Sequence, residues 1–190
     1  MVGTIFTELF PPRSGNTSGI TLLELIVVIS IIAVLTAITM PILRSVRARA
    51  QRVRCMVNMR NLHVAVALYV QDNNHWPQIA FDSGGEDEDQ DDSSFAQEWI
   101  AALAPYHVDK KSWICPTQQS FLGNPDYLST GNERVDYLAM PFDDKPMTPY
   151  QWPRQPWFVE SNDVHGHGQL IIFTDGSISD LKTVVAETKR

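Results

Sequence analysis

An apolar run from Ile20 to Met40 constrains this chain more than any other feature, because its only charged residue is Glu24. At about 1.5 Å per residue, a helix of this length crosses the roughly 30 Å hydrocarbon core of a bilayer. The run is too long for the apolar region of a secretory signal, which holds about 7 to 15 residues, so a cleaved secretory signal is the weaker interpretation. The sequence predicts a transmembrane helix over residues 20–41.

Glu24 needs a compensating charge, since centring an acidic side chain in hydrocarbon costs about 2.5 to 3.5 kcal/mol on insertion scales. The nearest source is a free α-amino group. Such a group exists beside Glu24 only if the chain is cut after Gly19, so that Ile20 becomes the first residue. Residues 1–19 would then be a leader.

The residues around this point resemble the processing signal of type IV pilins and type II secretion pseudopilins. That signal reads Gly19, the cut, an apolar residue, Thr, Leu, any residue and then Glu24. These proteins usually carry a proline twenty-two residues into the mature chain, where this chain has Pro41. The resemblance implies cleavage and N-methylation at Ile20 by a prepilin peptidase/methyltransferase. It also implies assembly with other pilin-like subunits through Glu24, Pro41 and the apolar helix.

A second signature lies near the C-terminus, where His165 is followed after nine residues by Asp175 and Gly176. Residues 169–174 read as a buried strand, Asp175-Gly176 as a two-residue turn, and residues 177–182 as the partner strand, which predicts a hairpin at 169–182. The spacing resembles the H-X9-DG motif of a prepilin-like family abundant in planctomycetes and related bacteria. Residues 58–77 resemble the end of the long helix in pseudopilin-like proteins of this kind.

Charge is strongly segregated within the net charge of −7. Residues 42–61 hold six Arg and no acid, whereas residues 72–190 hold eight Lys or Arg against twenty Asp or Glu. A basic segment beside a membrane helix favours contact with anionic lipids of the inner membrane, and no nucleic-acid partner is expected. The pilin-like interpretation predicts a single-pass inner-membrane protein whose head is periplasmic, or extracellular after assembly.

The same arginines support an alternative, because Arg-rich flanks of a membrane helix normally stay cytoplasmic. In this alternative the chain is an uncleaved, single-pass membrane-anchored protein whose head binds an envelope ligand.

After Pro41, apolar residues continue at helical spacing along one stripe. The stripe consists of Ile42, Val46, Ala50, Val53, Val57, Val64 and Leu68. We therefore expect residues 42–75 to form an amphipathic helix that stops near Gln71. We expect its contacts with the head to include Leu62, Val64, Ala67 and Leu68.

Residues 82–92 form an acidic tract without an apolar residue, so they cannot contribute to a core. One interpretation is a solvated loop. The other is a calcium site, because Asp87, Asp89 and Asp91 alternate and Glu98 follows Asp87 by eleven residues, as in an EF-hand loop. Calcium is the one cofactor that the sequence suggests.

The two cysteines, Cys55 and Cys115, are candidates for a disulfide that would tie the head to its helix. Two buried thiols fit the sequence equally well. With no CxxC motif and no paired Cys/His spacing, the sequence does not predict a metal site with sulfur ligands.

An enzymatic interpretation would use Asp163, His165, His167 and Asp175 as a metal or acid–base site. No nucleophile or oxyanion motif accompanies them. We therefore expect that the protein is not an enzyme.

The remaining residues, 76–190, predict one globular head. Its aromatic residues between 95 and 160 read mainly as core, with a helix over Phe95 to Leu103 and a strand within Val135 to Met140. The predicted fold class is α+β, in which a long N-terminal helix packs on a small antiparallel β-sheet in a pilin-like arrangement.

Overall fold

The computed structural model describes residues 20–79, 91–123, 133–166 and 168–189. Its helices are α1 (Leu22–Asn73), α2 (Asp91–Leu103), α3 (Pro116–Leu122) and α4 (Leu181–Thr188). Its strands are β1 (Tyr137–Ala139), β2 (Pro156–Glu160), β3 (Leu170–Phe173) and β4 (Ile178–Asp180). The chain divides into two units at Arg44, and each is described by itself below.

The first unit contains the apolar part of α1, whose side chains from Leu22 to Leu43 are exposed. Its hydroxyl groups are satisfied within the helix, because Ser30 donates to the Val27 carbonyl at 2.8 Å and Thr39 to the Leu35 carbonyl at 2.7 Å. The helix continues through Pro41, as expected. It is long and apolar enough to cross a membrane.

The helix begins with a capping box. The Glu24 amide donates to the Thr21 hydroxyl at 3.2 Å, and the Thr21 amide donates to Glu24 Oε2 at 3.4 Å. A carboxylate in the first turn also complements the positive end of the helix dipole. The sequence Thr-x-x-Glu therefore sets where α1 starts.

The second unit contains the head, built on a four-stranded sheet in the order β1-β2-β3-β4. Every neighbouring pair is antiparallel, with Leu138 opposite Val159 and Ile171 opposite Ser179. The second half of α1 shares one core with this sheet, since Met59, Leu62 and Phe158 are fully buried in the same cluster. The α+β fold with its helix packed on the head is confirmed.

The C-terminal hairpin is present with two differences from the prediction. Its loop has three residues, because the Phe173 amide donates to the Ser177 carbonyl at 3.0 Å around Thr174, Asp175 and Gly176. Gly176 takes the positive φ of 75° that closes such a loop. The second strand is also shorter than predicted, because the chain turns into α4 after Asp180.

The buried face of α1 is not the stripe predicted from the sequence. The residues that α1 buries against the head are Cys55, Met59, Leu62, Ala65, Val66 and Val70. Leu62 is buried as predicted and Ala67 is partly buried, whereas Val64 is 57% exposed and Leu68 is 43% exposed. The helix carries two apolar stripes, and periodicity alone could not tell which one faces the sheet.

One arginine of the basic segment is tied to the head. Arg52 donates to Asp180 Oδ1 at 2.6 Å, in a pair whose side chains are largely buried. Because Asp180 ends β4 and precedes α4, this contact links α1 to the last strand. Arg52 is therefore used within the chain rather than for lipid.

Candidate functional site

The start of α1 carries the residues predicted to act in assembly. Ile20 is the first described residue, and Gly19 lies outside the described part of the chain. Glu24 Oε2 lies 3.4 Å from the Thr21 amide nitrogen, one residue from the position where a cut would create an amine. The carboxylate is thus directed toward the N-terminal end of the helix.

The part of α1 in the second unit exposes a continuous apolar stripe. It is formed by Val46, Val53, Val57, Val64 and Leu68, which are 43% to 58% exposed. At 3.6 residues per turn, this stripe lies about 180° around the helix from the buried residues Cys55, Leu62 and Val66. The stripe is the exposed apolar face of the head's own helix.

A second cluster is buried inside the head. Cys55 comes from α1, Cys115 precedes the first residue of α3, Glu160 ends β2, and His165 lies in the loop between β2 and β3. One ligand atom from each lies within 4.8 Å of the others. Cys115 Sγ is 3.7 Å from His165 Nε2, which is 3.2 Å from Glu160 Oε1.

Both cysteines are free thiols in the structure. Their sulfur atoms nevertheless lie within the same 4.8 Å set, so the fold brings together the two residues predicted to pair. The disulfide remains a prediction.

Hydrogen bonds outside the cluster fix its members. Asp136 Oδ2 accepts from the Cys115 amide at 2.8 Å, and Arg134 donates to Asp136 Oδ1 at 2.8 Å. The Leu170 amide donates to Glu160 Oε2 at 3.4 Å. These contacts fix the backbone of Cys115 and the carboxylate of Glu160.

The cluster perturbs the acidity of its own groups. Burial opposes the charged form of His165, but hydrogen bonds to Cys115 and Glu160 outweigh it and raise the pKa of this imidazole to about 9. The hydrogen bond between the two sulfurs raises the pKa of Cys115 and lowers that of Cys55. These directions mean that the cluster favours the protonated form of the imidazole and that the Cys55 thiol loses its proton more readily than the Cys115 thiol.

The three residues of the C-terminal motif have separate contacts. His165 faces Cys115 and Glu160, whereas Asp175 accepts from the Ser177 amide at 2.9 Å within the hairpin loop. Hydrogen bonds from the Ser177 hydroxyl and from the Ser177 amide lower the pKa of Asp175.

His63 of α1 connects the hairpin loop to the helix. Its Nε2 lies 3.0 Å from the Thr174 carbonyl, and its ring stacks on Trp157 with centroids 4.6 Å apart. Sequence reasoning missed His63, since nothing local to residue 63 points to residue 174.

The residues of the proposed enzymatic set do not converge in the described part of the chain. Asp163 Oδ1 accepts from the amides of Gly166 and Gly168 at 3.0 and 3.1 Å, which is a loop-stabilising role. His167 lies outside the described residues. His165 instead contacts Cys115 and Glu160 in the buried cluster.

The calcium prediction falls mostly outside the described residues, which omit Asp87 and Asp89. The chain is helical from Asp91 through Glu98, and Glu98 is exposed on α2. An EF-hand loop folds its ligand positions around the ion, so that loop geometry is absent from residues 91–98. Calcium binding stays a prediction.

Among the aromatic residues predicted as core, those that are buried include Trp99, Trp113, Tyr137 and Trp157, whereas Phe121 is 74%, Trp152 61% and Tyr150 39% exposed. An apolar cavity of about 540 Å³ lies between the segment that follows α1, helix α2, and the first two strands with the residues just after β1. Trp76, Trp99, Phe142 and Val159 are among its lining residues. It is large enough for a small apolar ligand.

Comparison with known proteins identified no matching family model, no matching curated protein and no matching solved structure.

Proposed function

We propose that this protein is a pilin-like structural subunit, major or minor, of a type IV pilus-like or type II secretion filament. It is processed after Gly19, carries a methylated amine on Ile20, and assembles with other pilin-like subunits through Glu24 and the apolar part of α1. The observation that carries the proposal is the exposed apolar helix with a single acid in its first turn.

The charge of Glu24 supports assembly because a membrane anchor has no need of it. In the uncut chain its carboxylate completes a capping box, which a neutral glutamine could do equally well. The helix dipole favours a negative charge here only modestly, so a full carboxylate within an apolar helix points to a positive partner. The amine of Ile20, in the same or a neighbouring subunit, supplies that charge and sets the register of packed helices.

The exposed stripe of α1 supports the same proposal from the head. Valine and leucine side chains along one helix face are suited to bury apolar area against a second helix. The stripe belongs to the same helix that carries Glu24 in its first turn. A neighbouring copy of this chain is therefore the partner that could contact both the stripe and Glu24. Subunits would then contact one another through α1 both inside and outside the bilayer.

The alternative is an uncleaved membrane-anchored protein with a ligand-binding head. The six arginines after Pro41 and the apolar cavity favour it. It requires neither a cut after Gly19 nor a neighbouring subunit.

Intact mass of the protein extracted from its native membrane tests the two. The pilin-like function requires a chain that begins at Ile20, with one added methyl group. Gly19→Val should block that processing, while Gly3→Val in the leader is the matched control and should leave it unchanged. A native protein that keeps residues 1–19 would contradict the proposal and support the anchored alternative.

A further inference from the structure

We propose that Cys55, Cys115, Glu160 and His165 form a structural zinc site inside the head. This inference does not depend on filament assembly. It concerns what holds the helix, the sheet and the loop before His165 together.

The distances in the cluster match those of a tetrahedral zinc site. With Zn–S about 2.3 Å, Zn–N about 2.0 to 2.1 Å and Zn–O about 2.0 to 2.2 Å, the sulfur–nitrogen edge is about 3.6 Å and the nitrogen–oxygen edge about 3.3 Å. The observed edges are 3.7 Å from Cys115 Sγ to His165 Nε2 and 3.2 Å from His165 Nε2 to Glu160 Oε1. The 4.8 Å limit on all four atoms accommodates the remaining edges.

The donor set selects the metal. Two sulfurs, one imidazole nitrogen and one carboxylate oxygen suit zinc, whereas calcium and magnesium require oxygen ligands. Four protein ligands fill a tetrahedral shell and leave no position for substrate. The buried side chains of Cys55, Cys115 and Glu160 and the 3% exposed side chain of His165 likewise fit a closed, structural site.

Burial of the carboxylate is a second reason. Glu160 is fully buried, and the ionisable side chains it contacts in the described part of the chain include His165 and Cys115. A buried acid is costly unless positive charge compensates it, and either a protonated His165 or a bound cation can supply that charge. Zinc supplies two positive charges and a direct metal–oxygen contact to Glu160, and its binding displaces the protons of the two thiols and of His165.

The surrounding residues provide the supporting contacts that zinc sites have. Asp136 holds the amide of Cys115, and the Leu170 amide holds the second oxygen of Glu160. The hydroxyl of Tyr137 is fully buried near Cys55, and it has no hydrogen-bond partner of good geometry among the described residues. A thiolate at Cys55 would accept a hydrogen bond from that hydroxyl.

A disulfide is the competing use of the same sulfurs, and the two uses exclude each other. A disulfide would leave Glu160 and His165 as a buried pair with no part in the linkage. The proposal therefore requires that zinc binding depend on all four side chains and not on the cysteines alone.

The test uses full-length protein purified in detergent at neutral pH, without added metal or chelator, and a separate sample of the same cells is acid-quenched at lysis so that its thiol state can be read by mass. Elemental mass spectrometry should find about one zinc per chain. After removal of zinc under reducing conditions, Co²⁺ should give the thiolate-to-cobalt absorption in the near ultraviolet and the intense visible bands of tetrahedral cobalt.

Cys115→Ser and His165→Ala should lose the zinc, and Glu160→Gln should weaken its retention against a chelator at least tenfold. Glu133→Gln is the matched control, because Glu133 is also a buried acid but pairs with Lys110 at 3.1 Å outside the cluster. His75→Asn is the matched control for the imidazole. Both controls should keep one zinc per chain.

Two results would overturn the proposal even if the variants failed to fold. One is wild-type protein whose acid-quenched mass is two daltons low, which shows a disulfide between Cys55 and Cys115. The other is reduced wild-type protein that takes up neither zinc nor cobalt while both thiols remain titratable. Loss of zinc from Cys115→Ser would also contradict the four-ligand site if His165→Ala kept its zinc or if Glu160→Gln retained zinc against a chelator as well as the wild-type protein does.

Discussion

At the scale of single residues, Glu24 has two roles that its chemistry can separate. In the structure it closes the capping box with Thr21, a role that depends on hydrogen bonding and not on charge. In the proposed filament it neutralises the amine of Ile20, a role that depends on charge. Substitutions that keep one property and remove the other distinguish the roles.

We expect Glu24→Gln to leave membrane insertion unchanged and to reduce incorporation into filaments at least tenfold, because the amide can cap the helix but cannot pair with an ammonium group. The measurement is the fraction of processed protein that sediments with sheared filaments. Glu24→Val should behave in the same way. Thr21→Ala, which removes the cap and keeps the charge, is the control and should assemble; normal assembly of Glu24→Gln would exclude the charge pair.

Gly176 is the second residue with a testable role, because its φ of 75° lies in the left-handed region. A Cβ there would meet His63 Cε1 at 3.6 Å, an ordinary contact, so backbone strain is the main penalty. We expect Gly176→Ala to lower the free energy of unfolding by about 1 to 2 kcal/mol. Thermal unfolding of the full chain in detergent measures it, and Gly176→Asn should lose less because asparagine adopts this conformation more readily. Equal losses of stability in the two variants would mean that the contact of the new side chain with His63, rather than backbone strain, causes the destabilisation.

At the scale of elements, α1 is unusual in having apolar stripes on opposite faces of its head-bound half. One stripe is buried in the core and the other is exposed. Arginines lie between them, and Arg52 reaches Asp180 on the last strand. The helix is thus suited to contact the sheet on one side and a neighbour on the other.

Val64 and Val66 form a matched pair for this interpretation, since they are the same residue on opposite faces, 57% and 0% exposed. Val66→Ala should lower the free energy of unfolding by about 1 to 3 kcal/mol, whereas Val64→Ala should change it by less than about 0.5 kcal/mol. Val64→Asp should leave unfolding unchanged and impair filament assembly. The measurements are thermal melts and filament sedimentation, and a destabilised Val64→Ala would mean that this face is not free in the monomer.

Local patterns predicted the elements better than their contacts. The apolar run of α1, the helical spacing of residues 95–103 and the hairpin around Asp175-Gly176 are local patterns, and each appears as an element in the structure. The buried face of α1 was missed because both stripes have helical periodicity. The cysteine cluster was missed because its donors lie at 55, 115, 160 and 165, where only the folded sheet brings them together.

At the scale of the whole molecule, the division at Arg44 separates two kinds of surface. The first unit presents apolar side chains outward, and every buried side chain of the described chain lies at or after Cys55. The core, the sheet and the cysteine cluster therefore belong to the second unit alone. The described residues of the first unit contribute an exposed apolar helix rather than a part of the core.

We expect a chain that starts at Ser45 to fold without detergent and to unfold cooperatively within a few degrees of the full-length protein, because the described residues before Ser45 are all exposed. Circular dichroism during heating measures this, and sedimentation reports any association through the exposed stripe. The shorter chain carrying Val66→Ala is the control and should melt earlier. Loss of cooperative unfolding in the unaltered shorter chain would show that the apolar helix supports the head.

The order of elements along the chain has a consequence for biosynthesis. In the described part of the chain all four strands follow residue 136, and the last ends at Asp180, which Arg52 contacts. The ribosome therefore releases both apolar stripes of α1 long before any strand can cover the inner one. Until residue 180 has emerged, the nascent chain exposes apolar surface to which chaperones can bind. A chain that stops earlier would keep that surface exposed and would be degraded by quality-control proteases.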